Sequence, residues 1–105
     1  MDCTILTVIA TRALTRTTQD GIKSLVEVFI GLPMHRRFED GSSDWYCPVQ
    51  ILGIEDDAVR AIFGGDSIQA LSLALYMAGV SIAASPVAME IESDEDNCGF
   101  PATAA

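Results

Sequence analysis

The chain has 105 residues, half of them apolar and 20% charged, with 15 acidic against six basic side chains and a formal net charge of −9. That length and apolar content suit one folded domain over residues 1–105 and exclude wholesale disorder. The acidity excludes general nucleic-acid binding, which needs cations to neutralise phosphates, and docking on anionic membrane surfaces.

Residues 4–16 are dense in Ile, Val, Leu and Thr and predict a strand. Thr18-Gln19-Asp20-Gly21 predicts a hairpin turn, and residues 22–31 return as a second strand with Val26, Val28 and Ile30 on one face. Leu32-Pro33 predicts the end of that strand. The segment from Met34 to Asp44 reads as a loop, with His35-Arg36-Arg37 either a solvated loop tip or a site for phosphate or a carboxylate partner. Residues 45–54 predict a third strand; Pro48 lacks a backbone donor, which points to an edge strand or a strand beginning there. Residues 58–63 predict a fourth strand, completing a β-rich half over residues 4–63.

After Gly64-Gly65, Asp66 is a helix N-cap and Gln69 completes a capping-box spacing. Ile68, Leu71, Ala74, Leu75, Ala78 and Ile82 recur at intervals of three and four, predicting a helix over 66–84 that Ser85-Pro86 stops. No residue from Ser67 to Met89 is charged. Gln69, Ser72, Gly79 and Ser81 interrupt the apolar run and no Lys or Arg flanks it, so a buried core helix is expected rather than a membrane span. A helix apolar over so much of its circumference is covered on more than one side, which leaves a homodimer through the helix open. Residues 87–101 predict a terminal strand and an acidic loop. Ile5, Ile9, Val26, Val28, Val49, Ile51, Leu71, Ala74, Leu75 and Ala78 are the expected core.

The three cysteines, Cys3, Cys47 and Cys98, are odd in number and widely spaced, with no C-x-x-C pair. Free thiols in a reducing cytoplasm are expected. Met1 to Thr4 shows neither the basic nor the apolar region of a signal peptide. One histidine and scattered cysteines supply no zinc spacing. Asp94, Asp96 and Cys98 begin like a calcium loop, but Ala105 stands where the bidentate Glu is needed. No metal and no cofactor are expected. Cys47 with His35 lacks an orienting third group for nucleophilic catalysis, so Cys47 is expected to pack as a small apolar side chain.

Gly64-Gly65-Asp66-Ser67-Ile68-Gln69-Ala70-Leu71 resembles the segment of peptidyl carrier domains where a Ser at a helix start takes a phosphopantetheine arm. That resemblance would make Ser67 the modified residue. It also implies a helical bundle, which the β-rich first half opposes. Gly65-Asp66-Ser67-Ile68 resembles the box of GDSL hydrolases, but Gln69 breaks the G-x-S-x-G elbow and His35 lies upstream rather than late in the chain. A phosphate loop would need a Lys that is missing. Capping alone accounts for Asp66, Ser67 and Gln69.

A wider resemblance rests on Trp45-Tyr46-Cys47-Pro48, the run from Arg60 through Asp66-Ser67, Gln69-Ala70-Leu71 and Leu73-Ala74-Leu75, and Gly99-Phe100-Pro101. Together these resemble a family of short bacterial proteins of unknown function, from about Ile9 to Pro101. The resemblance implies a β-rich N-terminal half, one long helix and a final strand before Gly-Phe-Pro, but no activity. This chain has Ala88-Met89 where the family often places an aromatic.

The expected fold is α+β: a four- to five-stranded, mostly antiparallel sheet covered on one face by a single long helix. The charge is lopsided, +2 over residues 1–38 and −11 over residues 39–105. With no credible catalytic set, the expected function is non-enzymatic: a small acidic binding or inhibitory protein that occupies a basic site on a protein partner, including one built for nucleic acid. Anti-CRISPR inhibitors and toxin-immunity proteins share that profile. The candidate contact residues are Glu39, Asp40, Asp44, Trp45, Glu55, Asp56, Asp57, Glu92, Asp94, Glu95 and Asp96. The alternative is a carrier-like protein modified at Ser67.

Overall fold

The Asp20-Gly21 turn closes a hairpin. In a computed structural model, which describes residues 3–54 and 56–103, β1 (Val8–Thr17) pairs antiparallel with β2 (Lys23–Gly31). Gly21 has a φ of +79° and donates its N–H to the Thr18 carbonyl at 2.9 Å, a backbone conformation that favours glycine.

The chain does not loop after Pro33, as the sequence suggested. It continues as β3 (Met34–Arg37) and returns as β4 (Ser43–Leu52). β4 pairs with β3 through Ser43–Tyr46 and with β2 through Val49–Leu52. Between those ladders Gly31, Leu32 and Pro33 face only Cys47 and Pro48, which makes a β-bulge. The edge-strand expectation for Pro48 is therefore corrected. β4 is central, with β5 (Arg60–Gly64) antiparallel on its other side, and the bulge breaks the regular ladder where Pro48 has no donor to give. Gly31 makes the room: a Cβ there would lie 2.5 Å from Pro48 Cγ.

The single helix, α1 (Ser67–Ala83), starts where expected, with Asp66 Oδ1 accepting the Gln69 N–H at 2.7 Å. Gln69 Oε1 in turn accepts from Gly65 at 2.6 Å, one residue before the N-cap itself. Ala70, Ala74 and Ala78, four apart, are fully buried against Val26, Val28, Ile30, Val49 and Ile51. Small side chains at these positions bring the helix axis close to the sheet. At Gly64 the approach is tightest, since a Cβ would meet the Ala70 nitrogen at 2.5 Å.

α1 packs mainly over β4 and β5. This explains two core expectations that fail. Ile9 is 44% exposed because it lies on the far strand beside an irregularity in the β1–β2 register, and Ile5 is half-buried outside β1. Leu71 and Leu75 are half-buried and flank the core, while Leu14, Ile30, Cys47, Ala70, Ile82 and Phe100 join it.

The expected terminal strand is mostly a turn. A 3-10 turn (Ala88–Glu90) leads into β6 (Ile91–Glu92), only two residues long, beside Thr15 and Arg16 of β1. The sheet therefore has six strands rather than four or five, and all its pairings are antiparallel. Asn97, Cys98 and Gly99 then take left-handed φ values of 52°, 54° and 80°, turning Phe100 inward onto Gly79. Arg12 holds this turn by donating to the Cys98 carbonyl at 3.0 Å and lying 4.7 Å over the Phe100 ring. The Gly-Phe-Pro motif is thus a clasp on the helix.

Gly64→Ala should lower the melting temperature by roughly 10 °C through overpacking of about 1–3 kcal/mol. Gly65→Ala, where a Cβ meets only the flexible Gln69 Oε1 at 3.2 Å, should change it far less when both are followed by circular dichroism.

Candidate functional site

The eleven candidate contact residues divide between opposite ends of β4, which at ten residues is roughly 30 Å long. Glu39, Asp40, Asp44 and Trp45 belong to the β3–β4 hairpin; Asp56 and Asp57 follow the other end of β4. Glu55 lies outside the described residues, as does the side chain of Asp96.

At the hairpin end the carboxylates serve the turn. Asp40 Oδ1 accepts from the Ser42 hydroxyl at 2.6 Å and from its N–H at 2.9 Å, and these bonds hold the Asp40 carboxyl below its ordinary pKa. Arg36 stands directly opposite Asp44 and grips it through two bonds, Nε to Oδ1 at 3.1 Å and Nη2 to Oδ2 at 2.9 Å. The hydrogen bond to Asp44 raises the Arg36 pKa further. The same guanidinium lies 4.6 Å over Phe38 and 4.9 Å over Phe63. On the opposite face of the hairpin, His35 stacks on Trp45 with centroids 4.8 Å apart. So the expected loop tip is a braced strand, and Arg36 and Arg37 accompany the acids there. The signal for this pairing was present in the sequence: Arg36 and Asp44 are equidistant from Asp40, beside a second Asp-Gly pair.

The other end is different. Arg16 on β1 reaches Glu90 Oε1 at 3.2 Å with one nitrogen and the Gly53 carbonyl at 3.4 Å with another. The Gly53 N–H faces Asp57 Oδ1 at 3.4 Å, and Glu92 pairs across from Thr15. One arginine thereby links two acidic segments, distant in sequence, at one end of the sheet. Asp56, Asp57, Glu92, Asp94 and Glu95 are all exposed, and Glu90, absent from the sequence expectation, is the carboxylate that Arg16 pairs with. From Glu92 the chain runs back along β1 to Arg12, so Asp94 and Glu95 extend the acidic edge.

Chemistry at the other singled-out residues is limited. Ser67 is the first residue of α1 and half-buried. The carrier resemblance at this serine implies a helical bundle, and the fold is instead a sheet with one helix. Cys47 is fully buried, donates to the Gly31 carbonyl at 3.3 Å, and is pushed up to about 11 by burial, with Cys3 adding to the shift. Its thiol is neutral at physiological pH and a poor nucleophile. Among the described residues no three His, Cys, Asp or Glu side chains converge as metal ligands, and no helix is long and apolar enough to cross a membrane.

An antiparallel sheet under one clasped helix, with an acidic edge, is the class of domain this chain defines. It matches the family model described as a domain of unknown function, DUF6968, over residues 10–102, and the chain belongs to that family. No curated protein and no solved structure matches it.

A thiol raised from 9.0 to about 11 favours the fold fully below pH 9, where the unfolded thiol is also neutral. The contribution falls as the pH rises from 9 towards 11, because the unfolded chain ionises first. Chemical denaturation should show stability declining over that window, less so in Cys47→Ala. At pH 8 a thiol reagent should label Cys47 only after unfolding; labelling as fast as in the denatured chain would contradict the burial.

Proposed function

We propose that the protein is a non-enzymatic binding module that occupies a basic site on a protein partner, and that the acidic edge around Arg16 is its contact surface. The observation that carries this reading is the run of exposed carboxylates Glu92, Asp94 and Glu95 along the β1 edge, with Arg16 binding Glu90 beside them and, through the Gly53 carbonyl, the segment that carries Asp56 and Asp57. A field of one sign concentrated on one edge speeds encounter with a positive surface and fixes its orientation. Occupying such a site in place of its natural ligand would make the protein inhibitory. The hairpin end contributes less, because Arg36 and Arg37 offset its carboxylates.

The test is affinity capture from the source cell with the wild type and two variants. Glu92→Lys/Asp94→Lys should lose the captured basic protein, and Glu39→Lys at the far end should retain it. Raising the salt to about 0.5 M, where charges are screened within a few ångströms, should release it as well. Retention that ignores both salt and the double reversal would sink the reading.

A further inference from the structure

The edge of β5 and the flank of α1 beside it form a long, largely apolar surface. No residue of α1 is charged, and β5 carries only Arg60. Among the described residues β5 pairs with β4 alone, so its outer N–H and C=O groups face no strand. Arg-Ala-Ile-Phe-Gly contains neither Pro nor Lys, and Arg60 is the one charge on this edge. Leu73, Met77 and Val80 of α1 and its C-cap Ala84 follow a four-three-four spacing. The last three, with Ile54, Ile62, Arg60 and Asp56, line an open groove of about 290 Å³ between helix and sheet, Asp56 being its one acidic residue. Val80 is 37% exposed.

We propose that a second copy of this chain covers this surface, through antiparallel pairing of the two β5 strands about a two-fold axis at Ile62. Three features select that occupant. The first is distance. α1 packs over both β4 and β5, and neighbouring strands are about 4.8 Å apart. Continuing the sheet across the axis then sets the two helices roughly 10 Å apart, the spacing at which helices pack. The apolar flanks of the two helices face each other and fill the grooves.

The second feature is charge. Arg60 makes no ion pair among the described residues. In the antiparallel register it stands opposite Gly64 of the other copy, beside that copy's helix start, where Asp66 is the cap. Each Arg60 gains a carboxylate neighbour. The third is the location of the acidic edges. The two-fold sends the carboxylates beside β1 and β6 to the two far edges of the joined sheet, away from the seam.

Light scattering on the full chain should give a mass of twice 11.2 kDa. Val80→Glu buries a charge in the helix seam and should weaken self-association on the order of a hundredfold. Arg60→Glu sets a carboxylate against Asp66 and should weaken it about tenfold. Both should keep the wild-type circular dichroism. Ile62→Cys, on the axis, should cross-link to its own copy under mild oxidation faster than the wild type. A wild-type mass of 11.2 kDa overturns the proposal, and so does a dimer that Val80→Glu and Arg60→Glu leave intact or that Ile62→Cys fails to link.

Discussion

The closeness of one helix to one sheet governs the structure. Ala70, Ala74 and Ala78 present only methyl groups to the valines and isoleucines of β2 and β4, so the helix backbone comes nearer than larger side chains would allow. That approach requires Gly64, whose missing side chain leaves space for the first helical turn, and Gly79, whose missing side chain receives Phe100. Phe100 in turn fixes the path of the C-terminal segment, and with it the run of carboxylates along β1. The position of the acidic edge is therefore a consequence of three alanines and two glycines.

Much of this was legible in the sequence because the signals were local. The Asp20-Gly21 turn, the alternation at Val26, Val28 and Ile30, and the Asp66 cap each depend on residues only a few positions apart. The bulge at Gly31 was not legible. Leu32-Pro33 reads as a terminator by itself, and only the partner strand shows that the ladder resumes beyond it. Pro48 misled for the same reason: a missing donor implies an edge unless a long-range irregularity accommodates it. The terminal segment failed differently. Residues 87–91 have strand-like composition, but three consecutive left-handed residues leading into Phe100 cannot be inferred without the pocket that Phe100 fills.

The candidate site shows the same division. The sequence indicated which residues are acidic but not which of them meet. Arg16 decides that, through contacts to residues 37 and 74 positions away. The structure also separates carboxylates that composition treats as one: Asp44 and Asp40 at the β3–β4 hairpin are committed to Arg36 and Ser42, whereas Asp56, Asp57, Glu92, Asp94 and Glu95 are exposed.

The fit of Gly31 against Pro48 also acts on folding fidelity. Side chains in a strand alternate with a period of two, so sliding β4 by one residue would carry Asp44 and Tyr46 under the helix and turn Val49 and Ile51 out to water. The proline ring admits no such slip, because only one position on the opposing chain lacks a side chain where the ring must rest. A buried glycine and proline thus serve as an alignment key, rejecting out-of-step pairings of the central strand.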